Sequence, residues 1–384
     1  MQKTFKYRIY ASDETLTKVE KWLELCRELY NSALAERIAA YRYQRVSISG
    51  YTQMVELPDI KREFPEFKDV NSQVLQQVLD RLQKAFDAFF RRIKKGGEKP
   101  GFPRFRGKDR YNSFTLKNTG WKLEDRYLWV KNVGRFKMKL SRLIQGDIKT
   151  ITISRTPSGK WYASFSCGGI EPKLLPPNDK VIGIDVGIKY FIADSEGEVI
   201  DNPHFLKESE KQLRVRQRAL SRCKKGSEGR KEARILVAKS HEHIVNQRRN
   251  FQHEKANYYI ENYGTICFEN LMIKNMVRNH HLAKAISDAS WGSFFNMLKY
   301  KAEYAGRIAI EVPPHNSSQI CSGCGQVVAK SLSVRTHICP YCGLVLDRDV
   351  NAANNHKHKG LEILDKLVRI EPLDVNVGIG IGHA

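Results

Sequence analysis

The sequence predicts an α+β protein with several domains. Apolar residues alternate with charged ones at Phe5, Tyr7 and Ile9, which indicates an N-terminal strand. Helical spacing of apolar residues follows and is strongest at about 71–95, while short strand patterns from about 113 to 169 indicate the hairpins of a small barrel. A chain of 384 residues can bury a large core and is expected to divide into about two or three domains.

Three acidic residues in the second half of the chain occupy apolar settings. Asp185 lies in the strand-like segment VIGIDVGIKYF, Glu269 in TICFENL, and Asp349 near the start of the final helix, in DRDVNAANN. Each alone could be an ordinary strand-end or helix-cap acid. Together they need compensation, because an ionised carboxylate in an apolar setting costs several kcal/mol unless a cation accompanies it. Three converging carboxylates suit Mg²⁺, and two such ions about 4 Å apart can activate water and stabilise the leaving oxygen of a phosphodiester.

The composition indicates a polyanionic partner. The chain has 65 Lys and Arg residues against 42 Asp and Glu residues, a formal charge of +23. Much of the excess lies in two stretches: residues 91–117 hold ten basic and two acidic residues, and residues 205–250 hold fourteen and five. Nucleic acid is the usual partner of such a chain. The sequence has no apolar run of about 18 residues and no signal peptide at its start, so we expect an intracellular protein without a membrane partner.

Four of the eight cysteines form two C-x2-C pairs, Cys321 with Cys324 and Cys339 with Cys342, separated by fourteen residues. Four thiolates at this spacing predict one closed, tetrahedral zinc site of the structural type. Two disulfides are the alternative, but a pair this close in sequence bridges poorly with itself and a reducing compartment opposes the bond. His337 lies between the pairs and is expected to be a surface residue rather than a ligand.

The segment 98–108 mixes basic and aromatic residues, because Phe102 and Phe105 alternate with Arg104 and Arg106. Such a mixture suits contact with a nucleic-acid backbone together with base stacking. A loop that is simply anchored by its two phenylalanines explains the same pattern, and the sequence does not decide between them.

A second basic segment, about 205–262, reads as a long helical stretch with few apolar positions. It is either a solvated face or the lining of a nucleic-acid channel, and its one-sided charge favours the channel. The residues that we expect to contact nucleic acid there are Lys224, Lys225, Arg248 and Arg249.

The order of the motifs resembles a known family. Strands that carry an Asp and a Glu, followed by a helix that opens with an Asp, resemble a ribonuclease-H-like nuclease core of the RuvC type. A four-cysteine ribbon just before the last Asp narrows the resemblance to TnpB, the accessory protein of small insertion sequences and a relative of type V CRISPR effectors. The segments that carry it are KPGFPRFR, GIDVGIKY, NQRRNFQH, FENL, SSQICSGCG and CPYCGLVLDRDVNAANN.

The resemblance implies RNA-guided cleavage of double-stranded DNA beside a short flanking motif. Its nuclease residues fall on Asp185, Glu269 and Asp349, with Asp347 as the competing candidate for the third acid. The presence of all three acids argues against the nuclease-dead relatives. The cofactors implied are Mg²⁺, with two ions expected, one structural Zn²⁺ and a guide RNA derived from the end of the element. Target DNA is the other partner, no obligatory protein partner is implied, and the expected location is the prokaryotic cytoplasm in association with the nucleoid.

The resemblance also implies a division into domains. A small wedge β-barrel holds an inserted helical recognition domain, and a RuvC-type α/β nuclease core with an inserted zinc ribbon follows. The expected bounds are 1–10 and 97–175 for the wedge, 11–96 for the recognition domain, 176–316 and 345–370 for the nuclease, 317–344 for the ribbon and 371–384 for a tail.

Two other functions remain open at this point. A transposase or resolvase could use the same nuclease core while reading DNA directly, and a non-catalytic regulator could use the ribbon and the basic helices only to bind DNA. Bound RNA would separate the first from a guided nuclease, and metal-dependent nicking would exclude the second.

Overall fold

The computed structural model describes residues 1–96, 100–314, 317–331 and 334–370, and the tail expected at 371–384 lies outside the described residues. The chain divides into two compact units, Met1–Glu171 and Pro172–Ala384. Both units combine helices with sheet, which confirms the α+β class. No helix in the described ranges is long and apolar enough to cross a membrane.

The first unit is built on one antiparallel sheet of seven strands. The N-terminal strand β1 is central because its alternating apolar residues face the core and it pairs on both sides, with β7 and with β5. The order across the sheet is β2-β6-β7-β1-β5-β4-β3, and closure of this sheet into a barrel stays a prediction. The strands are β1 Lys3–Tyr10, β2 Ser113–Leu116, β3 Trp121–Glu124, β4 Tyr127–Val130, β5 Gly134–Lys139, β6 Asp147–Arg155 and β7 Trp161–Gly168.

The helices of the first unit all lie between β1 and β2 in sequence. Asn71 caps the N-terminus of the helix Ser72–Lys95 by accepting a hydrogen bond from Gln73 N–H, and Gly96 with a φ of 65° ends it. This helix confirms the pattern expected at about 71–95, although Ile93 at the end of its apolar stripe is exposed. The helices in the described part of this unit are α1 Asp13–Ala39, α2 Gly50–Val55, α3 Leu57–Glu63 and α4 Ser72–Lys95, with a π-helical turn Ala40–Gln44 after α1 and a 3₁₀ turn Pro65–Asp69 before α4.

The second unit contains a five-stranded sheet in the order β10-β9-β8-β11-β12. Strands β8, β9 and β10 form an antiparallel meander, whereas β11 runs parallel to both β8 and β12. Strands β8 and β11 are buried along both faces, as is usual where helices cover a parallel sheet, whereas β12 at the sheet edge is partly exposed. The strands are β8 Val181–Asp185, β9 Tyr190–Asp194, β10 Val199–Asp201, β11 Thr265–Glu269 and β12 Ile308–Val312, and a separate hairpin consists of β13 Thr336–Ile338 and β14 Val345–Asp347.

The long basic stretch is not one helix. It breaks at residues 223–227, where Gly226 has a φ of 86°, and Ser227 caps the second helix through Arg230 N–H. The two helices then pack against each other. The helices of this unit are α5 Phe205–Arg222, α6 Glu228–Asn262, α7 Ile273–Met276, α8 His280–Ala289, α9 Trp291–Ala305 and α10 Arg348–Ile370.

The final helix α10 lies directly on the sheet because two glycines allow a close approach. A Cβ on Gly183 of β8 would collide with the carbonyl oxygen of Ala353, and a Cβ on Gly360 of α10 would collide with the sulfur of Cys267 on β11. The first turns of α10 are therefore fixed over the ends of β8 and β11, where the two strand acids lie.

Candidate metal centres

Asp185 and Glu269 are the last residues of two neighbouring parallel strands. The register pairs Ile184 of β8 with Phe268 of β11, so the two acids follow at the same edge of the sheet. Ligand atoms of Asp185, Glu269 and His356 all lie within 4.8 Å of one another, which is close enough to share one metal ion. The structure thus brings together two of the three acids expected from the sequence and adds a histidine that the sequence analysis did not single out.

Both strand acids are held in an environment that disfavours their charge. Burial, followed by the nearby charges of Asp349 and Glu269, raises the pKa of Asp185 well above its ordinary value. Burial also raises the pKa of Glu269, with Lys359 partly opposing the effect. Adjacent buried carboxylates that resist ionisation are stabilised in the charged form by a divalent cation. The oxygen donors at this edge therefore fit Mg²⁺.

Asp349 lies in the first turn of α10 and is held by two arginines. Arg348 places Nη2 at 2.8 Å and Nε at 3.0 Å from Oδ1, and Arg335 places Nη1 at 3.2 Å from Oδ2. Asp349 is only 8% exposed and faces the same edge closely enough to raise the pKa of Asp185. Its carboxylate is nevertheless not part of the Asp185–Glu269–His356 cluster among the residues described.

Asp347, the competing candidate for the third acid, is engaged in a helix-capping contact. Its Oδ1 accepts the backbone N–H of Asp349 at 2.8 Å, which caps the N-terminus of α10. This contact uses the carboxylate to begin the helix. The choice of Asp349 as the third acid of the site stays a prediction.

His356 lies two helical turns after Asp349 and is fully buried. Its Nδ1 is 2.9 Å from the carbonyl oxygen of Ile184 and 4.0 Å from Oδ1 of Asp185. A carbonyl can only accept, so Nδ1 carries the hydrogen. Burial lowers the pKa of His356 to about 4, and the ring is neutral. The seven-residue spacing from Asp349 was the available sequence signal, because it places both residues on one helix face.

The four paired cysteines form a second cluster, as their spacing predicts. The sulfurs of Cys321 and Cys342 are 3.6 Å apart, and so are those of Cys324 and Cys339. These separations are too long for a disulfide. They agree with the edge of about 3.8 Å that a tetrahedron with Zn–S bonds of about 2.3 Å requires, so the four thiols fit zinc.

The cysteine-bearing segment docks on α10 through two asparagines of the DRDVNAANN motif. Asn351 accepts the N–H of Ser322 at 2.9 Å and donates to the carbonyl of Ile320 at 2.8 Å. Asn355 donates to the carbonyls of Ser317 and Ile320 at 2.8 and 2.7 Å. The four-cysteine segment therefore supports the same helix turns that carry Asp349 and His356.

The expectation that His337 lies on the surface is wrong. Its side chain is fully buried, and its Nδ1 contacts the ammonium group of Lys330. Burial, followed by the charge of Lys330, lowers its pKa. It is a core residue of a segment that is too small to bury many apolar side chains.

In the first unit, the structure describes residues 100–108 of the segment that mixes basic and aromatic residues, and residues 98 and 99 lie outside the described ranges. Phe102 packs edge-on against Phe86 and Phe89 although it is 46% exposed, whereas Phe105 is 56% exposed. The guanidinium of Arg106 lies over the ring of Tyr30, and Arg104 is exposed. An exposed aromatic between two arginines keeps base stacking open as a prediction.

In the second unit, the four expected basic contacts differ from one another. Lys224 and Lys225 are exposed in the turn between α5 and α6. Arg249 is exposed on α6, but Arg248 is 18% exposed and its Nη2 lies 2.6 Å from Oδ1 of Asp288. Contact with nucleic acid stays a prediction for all four.

Family models match three parts of the chain. Residues 167–280 match a model described as "Probable transposase", residues 291–356 one described as "Cas12f1-like, TNB domain", and residues 1–45 one described as "Helix-turn-helix domain". In the last of these ranges the structure has strand β1, the single helix α1 and a π-helical turn.

Relatives match over nearly the whole length. A Streptomyces pristinaespiralis protein named "Putative RNA-guided DNA endonuclease" is 33% identical over 371 residues, which is 94% of this chain and 90% of the relative. "Putative RNA-guided DNA endonuclease InsQ" of Escherichia coli K12 is 27% identical and covers 94% and 92% of the two chains. "TnpB-like protein L770" of Acanthamoeba polyphaga mimivirus is 23% identical over 59% of this chain and 46% of its own length.

These matches define a class of nucleases carried by insertion sequences and related to the Cas12f effectors. Within that class, the chain belongs to the TnpB family, in agreement with its motifs.

Proposed function

We propose that this chain is an RNA-guided DNA endonuclease encoded by a transposable element, which cuts double-stranded DNA beside a short flanking motif. The observation that carries the proposal is the convergence of Asp185 and Glu269 at one sheet edge, with Asp349 fixed beside them on α10. The names of the full-length relatives support it, since they describe RNA-guided DNA endonucleases.

The reaction that suits this site is hydrolysis of a phosphodiester with two divalent metal ions. When bound, such ions activate water and stabilise the leaving oxygen. Asp185, Glu269 and Asp349 offer the hard oxygen ligands that Mg²⁺ prefers. His356 donates Nδ1–H to the carbonyl before Asp185 and so orients the strand end, and that nitrogen is not available as a ligand. Helix α10 packs closely on β8 and β11, and this packing excludes water from the apolar side of the site.

The proposed division of labour follows from the charge of the chain. Base pairing with a guide RNA supplies the sequence specificity, and the protein holds the backbone and reads only the flanking motif. A formal charge of +23 is more than a compact nuclease site needs and suits a chain that binds both RNA and DNA. A protein with this activity works where the DNA of its host lies, in the prokaryotic cytoplasm and close to the nucleoid.

The domain architecture that we propose places the wedge at 1–10 and 97–175, with the recognition helices at 11–96 inserted between β1 and β2. The RuvC-type nuclease occupies 176–316 and 345–370, and the zinc ribbon occupies 317–344 with one structural Zn²⁺. The sheet of each unit and the four-thiol cluster support this division.

The experiment that tests the proposal is purification of the protein from cells that carry its element, followed by sequencing of bound RNA and a cleavage assay with Mg²⁺. A defined transcript and cleavage only at DNA that matches it are expected. A directly reading transposase would cut one fixed sequence without RNA, and a regulator would bind DNA without nicking it.

A further inference from the structure

A surface pocket of about 360 Å³ lies between helices α6 and α9 of the second unit. It opens to solvent along the exposed faces of both helices and is separate from the carboxylate cluster, because none of its lining residues belongs to that cluster. Its volume is in the range of about 300 to 1,000 Å³ that small-ligand pockets occupy. The pocket can therefore receive a group of the size of one nucleotide.

The inner wall of the pocket is rigid. Arg248 is held by the carboxylate of Asp288, which is itself 8% exposed and also accepts the N–H of Leu206. Gln252 donates to the carbonyls of Ala289 and Ser290 at 3.0 and 3.1 Å, which caps the C-terminus of α8. These two side chains serve the fold and define a preformed site.

The outer wall carries three polar side chains, Arg249, Ser293 and Asn296, that have no partner among the residues described. Arg249 makes no hydrogen bond or ion pair with any residue that the structure describes, and the side chains of Ser293 and Asn296 are equally unengaged within the described ranges. Ser293, Asn296 and Tyr300 lie on one face of α9 at helical spacing, with the ring of Tyr300 46% exposed.

The lining residues suit a ligand that combines an anionic group with a planar ring bearing polar atoms. No acidic side chain lines the pocket among the residues described, and its unneutralised charge is that of Arg249. The N-terminus of the 15-residue helix α9 opens at Ser290, on the pocket wall, and adds positive potential. Arginine and a serine hydroxyl suit a phosphate, an asparagine suits the edge of a base, and a tyrosine suits its face.

We propose that this α6–α9 pocket binds one unpaired nucleotide of a nucleic-acid strand, with its phosphate at Arg249 and Ser293 and its base at Asn296 and Tyr300. The nucleotide must be unpaired because a base stacked inside a duplex cannot enter a pocket. The proposal rests on the proposed function, which supplies both a guide RNA and separated DNA strands. A phosphate joined to a base is common to the guide RNA and to the separated DNA strands, and the experiments below distinguish the two.

The first test measures binding by the full-length protein to its guide RNA, and by the protein–RNA complex to target DNA, at several salt concentrations. We expect Arg249→Gln to weaken one of these two bindings by about threefold to tenfold and to lower its salt slope by about one. Arg249→Lys keeps the charge and should retain the slope. Tyr300→Ala should weaken the same binding while leaving the slope unchanged, because stacking releases no counterion. Equal affinities and slopes for all variants and the wild type would overturn the proposal.

The second test identifies the strand. A photoreactive benzoylphenylalanine in place of Tyr300 should crosslink to a single position in the guide RNA or in one DNA strand. The matched control is the same group in place of Tyr258, which is 40% exposed on α6 but lies near the acidic residues Glu196 and Glu198. Crosslinks of equal yield at both positions, or none at Tyr300, would contradict the pocket. Guided cleavage by the wild-type protein is scored in the same preparation, so failure of the pocket and failure of the proposed function give different results.

Discussion

His356 donates its Nδ1–H to the backbone carbonyl of Ile184 at 2.9 Å, and this bond ties the helix that carries Asp349 to the strand that carries Asp185. The two acids come from positions 164 residues apart in sequence. A hydrogen bond to the main chain fixes the strand end without using a carboxylate oxygen, so all oxygens of Asp185 remain available to ligands and to the N–H of Val186. The histidine is therefore a positioning residue of the site.

Loss of the acids should separate cutting from binding. We expect Asp185→Ala, Glu269→Ala or Asp349→Ala to reduce cleavage by at least about a thousandfold while target affinity changes little, because metal ligands serve the chemical step and affinity comes from phosphate contacts and pairing. Single-turnover cleavage and equilibrium binding, measured on the same preparations, test this.

Asp347→Ala is the matched control for the third acid. Because Asp347 caps α10, we expect this variant to lose about 1 kcal/mol of stability and to keep most of its cleavage activity. An inactive Asp347→Ala beside an active Asp349→Ala would show that the wrong acid had been assigned to the site.

His356 should make the stability of the protein depend on pH. Its pKa in the folded state, about 4, is below the ordinary value of 6.5, so the unfolded chain binds the proton first and stability falls as the pH decreases from about 6.5 to about 4. At pH 5 this loss amounts to about 2 kcal/mol relative to neutral pH.

Replacement by leucine separates this effect from other titrations. At pH 7.5, His356→Leu should cost about 1 to 3 kcal/mol, because the carbonyl of Ile184 loses its partner. The difference in the free energy of unfolding between the variant and the wild type should shrink at pH 5, because only the wild type loses stability through protonation of His356 in the unfolded chain. Urea unfolding at both pH values measures it, with His358→Leu, an exposed position on the same helix, as the control. A constant difference across this range would contradict the burial of a neutral ring.

The sequence could predict the strands and the acids but not how the acids are held. An acid at the end of an apolar run is visible locally, which is why β8 and β11 and their carboxylates were identified. The contact of Arg335 with Asp349 depends on the folding of the four-cysteine segment, and no local pattern encodes it. The helices α2 and α3 escaped prediction because they are six and seven residues long, too short for a periodic apolar stripe. Gly226 marks the break between α5 and α6, but the uninterrupted basic composition on both sides of it favoured the prediction of one long helical stretch.

The four-cysteine cluster should bind one zinc ion per chain and support α10. Elemental analysis of freshly purified protein should give one zinc, and Cys321→Ser should lower both zinc content and stability. Hydrogen exchange should increase in the segment 317–331 and in the first turns of α10, because Asn351 and Asn355 lose their partners there. Cys223→Ser, in the turn between α5 and α6, is the control and should leave zinc content unchanged. Absence of zinc from the wild-type protein would rule out this assignment.

Arg248 and Arg249 should differ in what they contribute, although they are neighbours. Arg248→Gln leaves the nearly buried carboxylate of Asp288 without its ion pair, and we expect a loss of about 3 kcal/mol in stability. Arg249→Gln should change stability by less than about 0.5 kcal/mol, since the side chain is exposed. Thermal unfolding of the two variants tests this difference. If the double variant Arg248→Leu with Asp288→Leu failed to recover any of the lost stability, the ion pair would not be the cause.

The target of cleavage should change with the RNA alone. If the protein reads only backbone shape and a short flanking motif, then replacing the guide segment of the RNA must move the cut to the newly matched DNA without any change in the protein. The measurement is cleavage of two plasmids, each matching one guide, by one protein preparation that is loaded with either RNA in Mg²⁺. Ca²⁺ in place of Mg²⁺ should preserve target binding and stop cleavage, because Ca²⁺ accepts a looser and higher coordination and positions the attacking water poorly. Cleavage of the same plasmid with both RNAs, or after removal of RNA, would instead indicate that the protein itself reads the DNA sequence.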